Sequence, residues 1–399
     1  MSVLLPWERK ENVPESPSPG KDRPDIHKRP PVNPRRYLAG TVMAVILIVS
    51  VLIFRHLGPS WGYSPNTAWK LDSGKVLYSC GGTFLLQSSG GISLWNQSGR
   101  VFGLQGPVGD AVLGEDFLVY EQSKTLLIRH LDGAEARIGP ALQGEKLLPF
   151  PGKNVVYLYR PGRSLGFGEP WVIRAISLGG KTLWQTEVPL APFMVRQGQT
   201  SLAIAATDIS GGGSQWLLCM DPVTGSIISK RRIGQGSWRN LLLTDGDVIV
   251  AVLDAVIQAI SITGEVVWTH FPDGILTSAV LHGDSIIISV LRDYPEALWG
   301  MFPRCQVTSI SLTGEVRWST SLSGKEIRLF PGSGDSVIAL SENRVISLSV
   351  KNGRQLLRLG TKGYPISCSG ELVLCEQGGG LYLMNLGEFQ PGRETRDGS

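Results

Sequence analysis

The sequence predicts an all-β fold, an eight-bladed propeller with seven blades as the alternative. The first observation is a repeated hairpin: AISITGEVVW, which ends at Trp268, returns as AISLGGKTLW ending at Trp184 and as SISLTGEVRW ending at Trp318. Each copy joins an alternating apolar run to a Gly-centred turn and a second β-rich run. The second observation is composition, because 49 Gly and only 18% charged residues favour short strands joined by tight turns.

The third observation is the spacing of the glycines that mark the turn between the last two strands of each unit. The markers are Gly99, Gly133, Gly180, Gly225, Gly264, Gly314, Gly353 and Gly387. Neighbouring markers lie 34 to 50 residues apart, and a four-stranded blade needs about 40. Leucine-rich repeats are shorter, and helical repeats need a 3.6-residue period that the chain lacks.

The chain before the repeats divides into three parts. Residues 1–36 hold eight prolines among polar and charged neighbours, which predicts a disordered Pro-rich tail. Residues 37–54 read YLAGTVMAVILIVSVLIF without a charge, and as a helix they reach about 27 Å, close to the thickness of a bilayer core. We therefore predict a transmembrane helix over 37–55 and a linker over 56–65.

The charges around this apolar segment predict its orientation. A cluster of Lys and Arg ends in Arg35 and Arg36 before the segment, whereas only Arg55 and Lys70 follow closely. The positive-inside rule then places the N-terminus in the cytoplasm and the repeats outside it. A cleaved signal peptide would need a shorter leader and an A-x-A site, so we expect a signal anchor in the plasma (cell) membrane with a single pass.

The repeats occupy residues 66–390, and residues 391–399 are predicted to be a disordered tail. In the fifth unit we expect strands at Trp238–Leu243, at VIVAVL, at VIQAISI and at EVVWTHF after Gly264. The last unit has only a weak fourth strand of its own. We expect TAWKL, residues 67–71, to complete that unit and close the ring, because an open ring would expose sheet edges.

The segments TGEVVW and TGEVRW resemble the tryptophan-docking repeats of the PQQ-like, quinoprotein-type eight-bladed propellers, over about residues 66 to 388. The resemblance implies that Trp184, Trp268 and Trp318 pack between neighbouring blades and are structural. Two units depart from the pattern, since Ser229 in the fourth and Leu357 in the seventh stand where Trp is expected.

Two functional groups of that superfamily are relevant. Its quinoprotein dehydrogenases bind the quinone PQQ and Ca²⁺ and often have a disulfide between adjacent cysteines, whereas this chain has no adjacent cysteine pair and no compact acidic cluster. The BamB-like, cofactor-free propellers are closer in length and bind partner proteins. They are typically lipid-anchored, and this chain has no N-terminal lipobox Cys.

We predict a non-enzymatic scaffold, or an assembly or sensing module, for another envelope protein; a PQQ-dependent dehydrogenase or other propeller enzyme is the alternative.

Other functions find little support in the residues. The formal net charge is +4, and residues 1–36 contribute +3 of it through eight Lys/Arg against five Asp/Glu, so no nucleic-acid footprint is predicted. No G-x-S-x-G elbow is predicted before a helix, and the five histidines lack metal-ligand spacing. We predict no catalytic, cofactor-binding or metal-binding residues. Among the five cysteines, Cys368 and Cys375 form either a bridge or a pair of buried thiols.

The loops between the second and third strands of the units predict a partner-binding surface. Three are long: RPGRSLGFGEP from Arg160, DISGGGSQ from Asp208 and RDYPEALWGMFPR from Arg292. In a propeller all these loops emerge on one face, so the insertions should form one rim. Its candidate binding residues are aromatic or Arg, as hot spots favour: Phe167, Trp171, Trp216, Tyr294, Trp299, Phe302, Arg163, Arg292 and Arg304.

Overall fold

The computed structural model describes residues 75–80, 82–114, 117–148, 155–161, 170–209, 212–292, 304–361, 363–378 and 380–389. All of them belong to one compact unit, Ser60–Ser399, and a second unit comprises Met1–Pro59. The predicted Pro-rich tail, membrane helix, linker, closing strand at Thr67–Leu71 and C-terminal tail lie outside the described residues. Within the described part, no helix has the length and apolarity of a membrane span.

The first four blades are antiparallel four-stranded sheets, and their strands are taken here in chain order. Blade 1 contains β1 (Lys75–Cys80), β2 (Thr83–Ser88), β3 (Gly91–Asn96) and β4 (Gly99–Gln105). Blade 2 contains β5 (Ala111–Leu113), β6 (Phe117–Gln122), β7 (Thr125–His130) and β8 (Glu135–Pro140). Blade 3 contains β9 (Lys146–Leu147), β10 (Val155–Arg160), β11 (Trp171–Ser177) and β12 (Thr182–Val188). Blade 4 contains β13 (Ala191–Gln197), β14 (Leu202–Asp208), β15 (Ser214–Met220) and β16 (Ile227–Gly234).

The remaining four blades continue the same order. Blade 5 contains β17 (Trp238–Leu243), β18 (Ile249–Leu253), β19 (Ile257–Ile260) and β20 (Val266–His270). Blade 6 contains β21 (Ile275–His282), β22 (Ser285–Leu291), β23 (Arg304–Ser311) and β24 (Val316–Ser323). Blade 7 contains β25 (Arg328–Pro331), β26 (Ser336–Ser341), β27 (Arg344–Ser349) and β28 (Gln355–Gly360). Blade 8 contains β29 (Tyr364–Ser369), β30 (Leu372–Gln377) and β31 (Gly380–Asn385), followed by the 3-10 turn Leu386–Phe389.

The predicted eight-bladed, all-β fold is confirmed, and the seven-bladed alternative is not adopted. Seven of the eight marker glycines have positive φ and lie where expected, six in the turn between the third and fourth strands and Gly99 at the first residue of β4. Gly387 is the exception. It lies in the 3-10 turn after β31 and has no positive φ, because no tight turn to a fourth strand follows in the described part of blade 8.

The hydrophobic core lies between neighbouring blades. The second strands are covered on both faces, so their sequences are continuous apolar runs; every residue of β18, IVAVL, is buried. One cluster joins blades 3 and 4 through Tyr157, Trp184 and Leu218, and similar clusters occupy the next interfaces. Outer strands alternate instead, since only one face of each meets a neighbour, as in the eeieieBi pattern of exposed, intermediate and buried residues along β16.

Hydrogen bonds close the ring at its inner strands. Ser367 of β29 and Ser79 of β1 have their hydroxyl oxygens 3.0 Å apart, and the backbone N–H of Gly82 donates to Ser369 Oγ at 2.7 Å. Comparable links join other inner strands: Asp110 Oδ2 accepts from the N–H of Leu147 at 2.8 Å. These bonds satisfy polar groups that the packed blades would otherwise leave buried and unpaired.

A tryptophan of one blade covers the glycine turn of the next. Trp268 Nε1 donates to the Leu312 carbonyl at 2.7 Å, and a Cβ on Gly314 would lie 2.8 Å from Trp268 Cγ. Gly314 therefore leaves room for the ring and supplies the positive φ, +91°, that the turn requires. The same contact joins Trp184 to the Gly225 turn and Trp318 to the Gly353 turn, with Nε1 donating at 2.8 and 2.6 Å.

Ser229 keeps the hydrogen bond of this contact without the ring. Its Oγ donates to the Ile262 carbonyl at 2.8 Å, and a Cβ on Gly264 would meet Ser229 Cβ at 3.2 Å. Arg231 Nη1 donates to the Gly264 carbonyl at 2.7 Å. The departure from Trp in the fourth unit thus replaces an aromatic contact with polar ones at the same turn.

Leu357 faces a different neighbour. The end of β31 in blade 8 continues into the 3-10 turn and not into a glycine turn, and a cavity of about 540 Å³ lies between blades 7 and 8, lined by Leu357, Leu386 and Glu371 among others. A large aromatic ring at position 357 would have no described glycine turn to cover, which is a physical reason for the departure.

We expect Gly314→Ala to destabilise the propeller more than Gly133→Ala. Both glycines have positive φ, +91° and +99°, so both changes incur about 1 to 2 kcal/mol of backbone strain. Only Gly314 lies against a neighbour's tryptophan, whereas a Cβ on Gly133 would meet nothing within 4 Å. Overpacking should add about 1 to 3 kcal/mol to the loss at Gly314. Denaturant midpoints measure the difference, and equal losses would contradict the docking role of the turn.

We expect Trp268→Ala to lower the free energy of unfolding by about 3 kcal/mol, because it removes a half-buried ring and its hydrogen bond to Leu312. Ser229→Ala removes one hydrogen bond and should cost about 1 kcal/mol. Urea denaturation of both variants checks the order. A loss under about 1 kcal/mol for Trp268→Ala would show that the ring does not hold the two blades together.

Candidate partner-binding rim

The alternation of antiparallel strands places two kinds of connection at one end of every blade. These are the loops from second to third strands and the links from each fourth strand to the next blade. We call this end of the propeller the rim. The three predicted insertions follow β10, β14 and β22 and all belong to it.

The structure describes four of the nine predicted rim residues. Trp171, Trp216, Arg292 and Arg304 lie at the ends of the three loops. The other five lie outside the described residues: Arg163, Phe167, Tyr294, Trp299 and Phe302.

Trp171 opens β11 at the end of the blade 3 loop. Its ring stacks on Tyr159, with centroids 5.9 Å apart and an interplanar angle of 28°. Both side chains are half-buried and pack against the cluster shared by blades 3 and 4. The core beneath the pair already restricts both side chains. A partner that contacts their exposed edges would therefore cost them little conformational entropy.

Trp216 lies near the start of β15 in blade 4. The Lys230 ammonium stands 4.6 Å from its ring centroid, within range of a cation–π contact. Its indole Nε1 is buried, with no hydrogen-bond partner among the described residues. Burying a donor without a partner costs free energy, so this nitrogen lowers the stability of the rim.

Phe193 and Trp238 extend the aromatic surface to blade 5. Their rings meet edge to face across the two blades, with centroids 6.2 Å apart and an angle of 65°. Trp238 Nε1 is also buried, with no partner in the described part of the chain. Together with Tyr159, Trp171 and Trp216 they form what we call the aromatic arc, which spans blades 3, 4 and 5.

The sector between blades 5 and 6 carries two exposed apolar side chains at the rim. Phe271, in the link after β20, is 73% exposed, and Ile275 at the start of β21 is 48% exposed. Arg292 Nη2 lies 3.4 Å from Asp273 Oδ2. This ion pair joins the residue that follows β22 to the link after β20. Arg304 lies exposed at the other end of that loop. An exposed aromatic beside arginines matches the composition of binding hot spots.

Sequence reasoning missed Tyr159, Phe193, Trp238 and Phe271. It compared only the lengths of second-to-third-strand loops, and these residues lie at strand ends or in a link between blades. The sequence contained a signal for these four residues, because each lies within two or three residues of the strand end that faces the rim.

Comparison with known proteins now places the chain. The family model described as "Outer membrane protein assembly factor BamB" matches residues 170–364, from blade 3 to the start of blade 8. The chain is an eight-bladed propeller with PQQ-like repeats. No curated protein matches its sequence significantly.

Solved structures share the fold of this PQQ-like propeller at low identity. AztD from Citrobacter koseri has a TM-score of 0.53 at 12% identity, covering 74% of this chain and 88% of its own. BamB from Moraxella catarrhalis has a TM-score of 0.50 at 15% identity, covering 80% and 98%. The quinohemoprotein alcohol dehydrogenase from Comamonas testosteroni has a TM-score of 0.57 at 11% identity, covering 83% and 78%. The likenesses show the fold alone.

The described side chains of the PQQ-like propeller do not form a set of ligands for a hard cation such as Ca²⁺. Within the described residues, no three His, Cys, Asp or Glu side chains group as metal ligands would. A cavity of about 240 Å³ between blades 1 and 2 contains Asp110 and Tyr78. Burial raises the pKa of Asp110, and burial together with Asp110 raises the pKa of Tyr78 to about 12. One carboxylate beside a neutral phenol is not the oxygen-rich cage that Ca²⁺ requires.

The cysteines of the PQQ-like propeller are buried thiols wherever they are described. Cys219, Cys305, Cys368 and Cys375 are all free and buried, so the bridge between Cys368 and Cys375, one of the two alternatives, does not form. Burial raises the pKa of both thiols to about 12, which leaves them protonated. They pack as small apolar groups in the core of blades 7 and 8.

Proposed function

We propose that this PQQ-like propeller is a membrane-anchored, extracytoplasmic scaffold that binds another envelope protein through its rim. Support comes from the family match, since BamB-like propellers typically bind other envelope proteins, and from the composition of the rim. The observation that carries the proposal is the sector formed by Phe271, Ile275, Arg292 and Arg304, where exposed apolar and Arg side chains lie beside the aromatic arc.

The proposed scaffold is not an enzyme. The same superfamily includes PQQ-dependent dehydrogenases, and a dehydrogenase shares the fold. The binding role is preferred because of the composition of the rim and the match to the BamB-like family model.

The rim is tested by removing its apolar side chains. We expect Phe271→Ser with Ile275→Ser to reduce capture of the partner from native membranes at least tenfold, because hot-spot truncations cost about 2 kcal/mol or more. The partner is identified first by crosslinking the unchanged protein in those membranes, followed by mass spectrometry.

A matched control separates the rim from general loss of apolar surface. Val267 and Val316, 56% and 55% exposed, lie on the outer strands of blades 5 and 6. The double variant Val267→Ser with Val316→Ser should capture the partner normally. Equal capture by rim and control variants would contradict the proposal, provided that both melt at the temperature of the unchanged protein.

The proposed anchor and orientation are tested with reporters fused after residue 60. Because Lys and Arg are concentrated before residue 37, we expect an enzyme that works only after export to be active at that position. A reporter that works only in the cytoplasm should be silent there. The opposite pattern would place the propeller inside the cell and exclude an envelope partner.

A further inference from the structure

Blade 7 places two arginines beside each other at the rim. Arg344 is the first residue of β27, and Arg358 lies near the end of β28. The register pairs Arg344 with Gly360 and Ile346 with Arg358, so the two arginines are diagonal neighbours on one face of the sheet. Long side chains at diagonal positions reach each other, and two positive charges at such a distance repel.

Neither arginine forms an ion pair with a carboxylate among the described residues. Burial lowers the pKa of Arg344, the charge of Arg358 lowers it further, and Glu342 opposes these effects to a smaller extent. The third and fourth strands of blade 2 show the opposite arrangement, in which Arg129 Nη1 lies 3.2 Å from Glu135 Oε2. Blade 7 therefore keeps positive charge at the rim that no described ion pair neutralises.

An open notch lies beside the two arginines. Gly360, opposite Arg344, is exposed, and a Cβ at this position would meet no atom within 4 Å. From the neighbouring blade, Ser323 Oγ at the end of β24 accepts a hydrogen bond from Arg344 Nη1 at 2.9 Å. A serine hydroxyl that accepts keeps its own proton to donate. We call Arg344, Arg358, Ser323 and Gly360 the arginine notch.

The arginine notch borders the apolar sector of the rim. Ser323 is paired across the sheet of blade 6 with Arg304, the exposed residue that begins β23. Arg304 belongs to the sector that contains Phe271 and Ile275, at the boundary of blades 5 and 6. A protein that covers those two apolar side chains therefore needs to extend across only one blade to reach the notch.

We propose that the arginine notch binds a carboxylate side chain, Asp or Glu, from an acidic segment of the protein that docks on the rim. The proposal rests on the proposed function, because it takes the occupant from the same partner. Arginine binds carboxylates through paired N–H donors, and such charge-assisted bonds are stronger than neutral ones. A carboxylate in the notch relieves the repulsion between Arg344 and Arg358 and accepts the hydroxyl proton of Ser323. Charge pairing of this kind sets orientation and association rate more than affinity.

A labelled peptide of six glutamates tests the arginine notch without the partner. Its binding to the full chain in detergent is followed at low salt by fluorescence anisotropy. We expect Arg344→Gln with Arg358→Gln to weaken binding about tenfold, since ion pairs at a surface each contribute modestly. The matched control, Arg137→Gln with Arg354→Gln, removes the same charge from exposed positions outside the notch and should bind as the unchanged protein does.

A carboxylate built into the notch provides a second test. The φ of Gly360 is not positive and the space beside it is open, so a side chain is accommodated there. Gly360→Glu should pair with Arg344, raise the melting temperature and abolish binding of the peptide. Gly360→Gln, which is equal in size and uncharged, should retain binding and leave the melting temperature unchanged.

Three results would overturn the proposal. The first is equal peptide binding by the notch variant and its matched control, and the second is equal binding by Gly360→Glu and Gly360→Gln. The third is displacement of the peptide by inorganic phosphate at about 1 μM, which would assign the site to phosphate groups. Phe271→Ser with Ile275→Ser should leave peptide binding unchanged, so failure of the notch is distinguishable from failure of the proposed function.

Discussion

The contact between a fourth-strand side chain and the next blade's glycine turn is the constraint on which the stacking of blades 3 to 7 depends. A blade cannot bury its own faces, so stability comes from the interfaces between blades. At each docking junction described, the glycine gives room and a positive φ, and the covering residue gives a hydrogen bond to a backbone carbonyl. The bond persists where the side chain changes, as Ser229 shows. Register between blades is therefore set by the backbone turn more than by the aromatic ring.

This constraint explains why the architecture could be predicted from the sequence. The turn needs glycine at a fixed place in each unit, so the seven glycines from Gly99 to Gly353 mark seven of the eight blades. The strands of the fifth unit also lie where the alternation indicated, from Trp238 to His270. The prediction failed at Gly387, because β31 continues into the 3-10 turn Leu386–Phe389 and no tight glycine turn follows in the described part of the last unit.

The rim was less predictable because its chemistry comes from different elements brought together. Loop lengths identified the three insertions, but the arc depends on strand registers that place Phe193 beside Trp238 across a blade boundary. The pattern of one blade contains no information about the ring of the next. Phe271 was not predicted because it lies in a short link between blades, and the prediction used loop length alone.

The junction between blades 4 and 5 differs from its neighbours on both sides. It has the hydroxyl of Ser229 and the guanidinium of Arg231 at the outer turn in place of an indole. On the rim side, the same junction is spanned by the edge-to-face pair of Phe193 and Trp238. Water competes for polar contacts more readily than for a covered ring, so the outer turn of this junction is less protected than those covered by an indole. A molecule bound to Phe193 and Trp238 would therefore contact both blades of this junction at once.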